Sequence, residues 1–214
     1  MHQNFSEYKQ MFFNDGYQLG LDAVKDGYHE HTLFQAIEQM HQAIDQLIDS
    51  LAGMAQKQGL PVNCKKGCAW CCHQAVFANS YELKHLGHFI QKHFSAEQTQ
   101  QVKKQSSAKN EITSALKQEQ VLSYKSPCPL LKDGACTAYQ ARPMACRIYL
   151  STRVASCLEF YKNPTDKDHY PALLDFPLRA GQMMNEGFMA ALAEVGIETT
   201  EFRLEDGLNS FLSF

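Results

Sequence analysis

Residues 32–59 read TLFQAIEQMHQAIDQLIDSLAGMAQKQG, and the spacing of their apolar side chains decides the fold class. Leu33, Ile37, Met40, Ile44, Leu47, Leu51 and Met54 step by four and three residues alternately, which sets them on one face of a helix. Phe34, Ile48 and Ala55 broaden that face. Thr32 with Gln35 fits a capping box, and Gly59 with Pro61 supplies a stop, so the pattern predicts a helix over 32–58. Three heptads are near the minimum for a coiled coil and Gly53 weakens the last turn. The stripe is therefore expected to pack within its own chain.

Working outward, residues 80–94 predict a second helix after Ser80, with Leu83, Leu86, Ile90 and Phe94 on one face. Ser95 with Gln98 suggests another cap, opening the stretch EQTQQVKKQSSAKNEITSALKQEQ. Its apolar marks are sparse (Val102, Ile112, Leu116), so a largely solvated helix is expected. Residues 163–178, with three prolines, read as loop. Met184, Phe188, Leu192 and Val195 recur at helical spacing, and a short last helix is expected over 203–213. No alternating strand pattern of useful length and no repeat occur. The expected fold is mainly α: a single helical domain over 1–214, with N-terminal helices in 1–60, a cysteine-cluster region in 61–162 and C-terminal helices in 163–214.

The chain has 214 residues, enough for one sizeable core. A net charge of -3 gives no overall pull toward nucleic acid or an anionic membrane, and neither partner is expected. No apolar run approaches the ~20 residues that a membrane helix needs. The opening MHQNFSEYKQ lacks the basic and apolar regions of a signal peptide, so a cytoplasmic location is expected, where thiols stay reduced.

That expectation gives the eight cysteines their meaning. Residues 63–74, NCKKGCAWCCHQ, hold Cys64-x3-Cys68-x2-Cys71-Cys72, and a second irregular segment, 124–160, holds Cys128, Cys136, Cys146 and Cys157. Clustered thiols in a reducing compartment more often bind metal than form disulfides. Cysteines two or three residues apart can wrap one ion through a tight turn, and Gly67 before Cys68 suits such a turn. Neighbouring side chains are expected to diverge, so Cys71 and Cys72 would feed two nearby centres, or one of them would bridge. Eight thiolates at four per tetrahedral ion suggest two full centres drawing on both segments. Cys157, in VASCLEFY, is the thiol closest to a merely buried apolar residue.

Four thiolates around zinc, or around a cluster core of the same charge, leave a net charge of -2 per centre. Lys65, Lys66, Lys125, Lys132, Arg142, Arg147 and Arg153 all stand near cysteines in sequence, and Arg142 and Arg147 are the expected charge-compensating groups. His73 is a candidate donor to a thiolate. His85 and His88 fall opposite the apolar face of their helix and are expected to be solvated. Trp70 is read as a lid over the centre or as a core residue.

The first cysteine run together with CPLLKDGACTAYQARPMACR at 128–147 resembles the YkgJ-like cysteine-cluster family, a zinc- or iron-chelating domain. The matching features are the C-x2/3-C-x2-CC run, Cys128-Pro129, Gly134 with Cys136, Tyr139, and Arg142-Pro143-x2-Cys146-Arg147, over roughly 64–160. The resemblance implies that the eight cysteines bind metal, and its branch of flagellin lysine methylases of the FliB type implies an iron–sulfur cluster. The x3 spacing departs modestly from the family's x2. Cys64-x3-Cys68-x2-Cys71 with Trp70 is also similar to the cluster loop of radical S-adenosylmethionine enzymes, but the strand–helix alternation of their partial barrel is missing.

The expectation is a cytoplasmic metal-binding protein with one or two cysteine-ligated centres, zinc or iron–sulfur, and a redox, protein-modification or maturation role. The alternatives are a helical interaction module stapled by structural zinc, and a metal storage or delivery protein. Whether it is an enzyme stays open at this point.

Overall fold

A computed structural model describes residues 2–59, 62, 64, 65, 67–166 and 168–212, with side chains from residue 7 onward. In chain order the helices and strands are α1 (His2–Val24), α2 (Glu30–Lys57), β1 (Phe77–Asn79), α3 (Ser80–His93), α4 (Ala96–Ser114) and α5 (Gln118–Ser123). They continue with β2 (Leu131–Lys132), β3 (Ala135–Cys136), α6 (Met144–Ile148), α7 (Val154–Lys162), α8 (Asp175–Glu194), β4 (Glu201–Arg203) and α9 (Leu204–Phe211). Short 3-10 turns occupy Trp70–His73 and Tyr139–Ala141. The protein is mainly α: Cys64, Cys68, Cys71, Cys72 and Cys128 lie on loops or a 3-10 turn, whereas Cys136 lies on β3, Cys146 on α6 and Cys157 on α7, so the segment 124–160, expected to be irregular, carries short strands and helices.

The chain divides into two compact units, each assembled from three segments. Unit 1 comprises Met1–Pro61, Met144–Leu150 and Leu173–Thr200, and unit 2 comprises Val62–Pro143, Ser151–Ala172 and Glu201–Phe214.

Unit 1 is helix packed on helix. Along α2, Leu33, Phe34, Ile37, Met40 and Ile44 are buried, as the stripe requires, while Leu47 and Leu51 are half-buried and Met54 is 53% exposed. The expected capping box does not form. His29 takes the N-cap position, and the Thr32 hydroxyl donates to the carbonyls of Ala23 and His29, each at 2.9 Å. That hydroxyl thereby ties the link between α1 and α2 instead of capping a helix. Gly59 ends the region at φ +74°, and Pro61 lies outside the described residues.

At its glycines, helix α1 comes into close contact with the backbone of α8. A Cβ on Gly16 would collide with the Met184 carbonyl oxygen, and one on Gly187 with that of Phe13. Met184, Phe188 and Leu192 of α8 are buried as their spacing predicts, but Val195 is exposed past the helix end. The expected loop over 163–178 stops at 174, because Pro177 sits in the first turn of α8, where backbone N–H groups lack intrahelical partners anyway.

Unit 2 holds a second core: Leu83, Leu86 and Ile90 of α3, Val102 of α4, Leu130, and Leu204, Leu208 and Leu212 at the C-terminal end. Asn79, not Ser80, takes the N-cap position of α3, its N–H donating to Glu82 Oε2 at 3.3 Å. Ser95 and Gln98 do form the expected box, with Gln98 N–H to Ser95 Oγ at 3.2 Å and Ser95 N–H to Gln98 Oε1 at 2.7 Å. The helix that follows, α4, is mostly exposed, with Val102, Ser106 and Thr113 buried.

His85 corrects the expectation of a solvated pair: it is 4% exposed, while His88 is exposed. Helix α3 is covered on more than its apolar stripe, for Tyr81, Glu82 and Gly87 are buried beside it. Two antiparallel strand pairs were invisible to alternation because they are two or three residues long. In one, Phe77 pairs with Arg203 and Asn79 with Glu201; in the other, Leu131 pairs with Cys136 and Lys132 with Ala135. The last helix begins at Leu204, one residue later than expected, and residue 213 lies outside the described residues.

Candidate metal centre

The first cysteine run is shaped by backbone turns. Gly67 has φ +95°, a conformation that glycine adopts at little cost, and the Cys68 N–H donates to the Lys65 carbonyl at 3.0 Å. A 3-10 turn follows, with Cys72 N–H to the Ala69 carbonyl at 3.0 Å and Gln74 N–H to the Cys71 carbonyl at 3.2 Å. Cys64, Cys68, Cys71 and Cys72 are all half-buried. The expected divergence of Cys71 and Cys72 gives way here, for their thiols hydrogen-bond to each other, and that bond together with burial raises the Cys71 pKa.

On one side of this run lies α7. Tyr161 sits 5.3 Å from the Trp70 ring and 5.1 Å from the His73 ring, centroid to centroid. His73 Nδ1 is 3.0 Å from the Ala69 carbonyl oxygen. Cys157, one helical turn before Tyr161, is only 5% exposed. Ser151 joins the distant thiols: its backbone hydrogen-bonds to Cys64 and its hydroxyl to Cys157. Burial pushes both thiols above the ordinary cysteine range, and the surrounding cysteines push in the same direction while Ser151 opposes.

On the other side lies the β2–β3 hairpin. Cys128 N–H donates to the Cys72 carbonyl at 2.8 Å, Leu131 N–H donates to the Cys128 carbonyl at 2.9 Å, and Cys136 stands opposite Leu131. Asp133 and Gly134, at φ 51° and 76°, turn the hairpin as an Asp-Gly pair does. Cys128 and Cys136 pack against the apolar core of unit 2, and burial pushes the Cys128 thiol up to about 12. Beneath them Thr113 Oγ1 donates to the buried Glu205 at 2.8 Å, and Lys109 Nζ donates to the Ser126 carbonyl at 3.3 Å. Lys125 lies 4.0 Å over the Phe160 ring, its pKa lowered by burial to about 8.

The remaining predicted residues fall elsewhere. Cys146 and Arg147 belong to α6 of unit 1, where the Arg147 guanidinium, 2% exposed, forms an ion pair with Asp45 of α2. Arg142, in unit 2, donates to the Tyr139 carbonyl at 3.0 Å and lies 3.8 Å over the Tyr139 ring. Lys65, Lys132 and Arg153 are exposed, and Lys66 lies outside the described residues. Ser151, Lys109, Tyr161 and Glu205 escaped sequence reasoning. Only Tyr161 left a trace, its four-residue offset from Cys157.

All eight cysteines are free thiols. Among the described residues, no three histidine, cysteine or acidic side chains already stand close enough together to hold an ion. The donor chemistry nonetheless fits the soft metals that thiolates select, zinc and iron–sulfur iron. No described helix is long and apolar enough to cross a membrane. No curated protein and no solved structure matches the chain. The model of the CxxCxxCC family, described as "Putative zinc- or iron-chelating domain", matches residues 63–169, a span of half the chain that takes in all eight cysteines. On that match, joined to a thiol-rich loop region on a helical frame, the chain belongs to the CxxCxxCC family.

Proposed function

We propose that the cysteines chelate zinc or iron as a thiolate centre whose main work is to staple the irregular segments of unit 2. One observation carries this reading: Cys64, Cys68, Cys71 and Cys72 occupy a stretch fixed by a few turn hydrogen bonds and placed against α7 and the β2–β3 hairpin. Such a stretch gains most from coordination, because binding energy at a structural metal is also folding energy. The candidate ligands in unit 2 are Cys64, Cys68, Cys71, Cys72, Cys128, Cys136 and Cys157, with Arg142 and His73 as supporting groups, in one or two centres; Cys146 and Arg147 belong to unit 1 and are not assigned to them. Reduced thiols in this number suit the cytoplasm.

When bound, the metal supplies a closed, four-coordinate crosslink. The chain would supply thiolates, the turn at Gly67 and the aromatic cluster of Trp70, His73 and Tyr161 beside them. Half-buried cysteines favour a second reading, metal storage or delivery, since incoming thiols can reach them. Redox or protein-modifying catalysis would require substrate turnover beyond this crosslink.

Metal analysis of anaerobically purified protein tests the proposal. Stoichiometric zinc in colourless protein, or iron and sulfide with broad visible absorbance, is the expected result. Folded protein that contains no metal and gains no stability on adding either would overturn it. Rapid metal exchange without a change in stability would favour delivery over the staple.

A further inference from the structure

We propose that the cleft between helix α4 and the β2–β3 hairpin binds a short, uncharged, extended peptide segment of a partner protein. This goes beyond the metal reading, because no cysteine lines the cleft among the described residues.

The cleft has a volume of about 760 Å³ and lies wholly within unit 2. Helix α4 contributes Gln98, Gln101 and Gln105, whose three- and four-residue spacing keeps them on a single face. Gln98 Oε1 accepts the Ser95 N–H at 2.7 Å, which fixes that side chain in the capping box and leaves its NH2 group facing outward bonds. Gln101 and Gln105 are exposed, and neither side chain makes a hydrogen bond among the described residues. Each of these amides can donate and accept at once.

The apolar part of the lining is Val102 and Leu130, both buried, with the half-buried Leu131. Thr137 adds no free donor there. Its hydroxyl and its N–H both go to the Leu130 carbonyl, at 3.0 and 2.8 Å. The polar recognition therefore falls to the glutamines.

A row of amides beside an apolar surface matches polypeptide, which offers N–H and C=O groups in alternation together with side chains. Gln98 to Gln105 spans roughly 10 Å of helix axis, the length of about three residues of an extended strand. An apolar side chain set against Leu130 and Leu131 supplies affinity, and the glutamines fix the direction of the backbone. Charge decides against nucleic acid. The lining holds one acid, Glu97, and one base, Lys132, so a phosphate backbone finds no excess of cations and a neutral segment matches best.

Calorimetric titration of the full chain, with whatever metal it carries on purification, tests the site. The probes are capped heptapeptides of serine, asparagine and threonine around a central leucine, valine or phenylalanine. At least one is expected to bind saturably at one site per chain. Gln101→Arg and Gln105→Arg, at exposed positions that leave the fold intact, should each weaken that binding by about tenfold or more. Gln100→Arg, exposed on the same helix but outside the lining, should leave it unchanged. Equal binding by Gln101→Arg and the original chain would overturn the site. Failure of every neutral peptide to bind, or tighter binding of oligothymidylate or of a glutamate-rich or lysine-rich peptide that the same two variants weaken, would overturn the occupant.

Discussion

The two units reach stability by different routes. In unit 1, α1 and α8 meet at glycines so closely that no Cβ fits, and Ile37, Met40, Ile44, Met184 and Phe188 are nearly or fully sealed from water. Burial of that kind is worth roughly 25 cal/mol per Å² of apolar surface and needs no ligand. In unit 2, α3, α4 and α9 share an apolar core, but Cys64 to Gln74 have no fully buried side chain among the described residues. What those residues offer instead is sulfur. The difference teaches that a loop region poor in hydrophobic closure needs another source of closure, which the proposed thiolate centre would supply.

The largest expected effect breaks the apolar side of this comparison. Ile44→Asp places an unpartnered carboxylate in the core of unit 1 and should cost about 3–5 kcal/mol, giving unfolding or aggregation whether or not metal is supplied. A soluble, stable monomer seen by light scattering and thermal melting would place that face at an oligomer interface instead.

Arg147→Ala comes next, at about 2–3 kcal/mol, because it removes an ion-pair partner of Asp45 and empties a sealed position. Its metal content, measured at a temperature where the protein stays folded, should match the original chain. A parallel loss of metal would tie Arg147 to the thiolates and blur the contrast between the units.

Acidification should act on the thiol side alone. The raised pKa values of Cys64, Cys157 and Cys128 mean that these thiols hold protons in the metal-free protein at neutral pH. Metal must displace those protons, so apparent affinity should rise with pH, by up to about tenfold per unit for each proton released. Competition titrations one pH unit apart measure the slope, and a flat profile would contradict thiol ligation. Amide protection factors in α1 and α8, corrected for the intrinsic pH dependence of exchange, should stay unchanged over the same interval.

The smallest effect sharpens the frame of unit 2. Ser95→Ala removes half of a capping box and should cost about 1 kcal/mol by denaturant melting, with metal content unaltered.

Periodicity revealed what burial enforces. Leu33 to Ile44 and Met184 to Leu192 sit where their spacing puts them, and the Ser95 cap is legible because a hydroxyl followed by Gln98 has few other uses. The same spacing extended past Ile44 misleads, since Met54 remains exposed where the other helices of unit 1 no longer cover α2. Helix α1 left little signal because Gly16 and Gly20, weak helix formers, are there to admit α8. His85 was misplaced because a helical wheel assumes one covered face, whereas α3 is covered on several. Asp133-Gly134 is a hairpin signal that reading by strand alternation passes over. Within the cysteine region the thiols themselves were plain, but the contacts of Ser151 carry no mark in sequence, and Tyr161 left only its four-residue offset from Cys157.

The pairing of β1 with β4, and the leucines that follow it, bears on how much polypeptide the cysteine region needs. Leu204, Leu208 and Leu212 fill the core beneath α3, and the Leu204 N–H donates to the Val76 carbonyl at 2.9 Å, only four residues from Cys72. These residues come well after the last cysteine and after the matched span that ends at 169. A polypeptide trimmed to the matched span would keep every thiol yet lose the strand and helix that hold residue 76 in place. Its metal binding would then report on a frayed loop, so the tail is as much a part of the chelating region as the cysteines themselves.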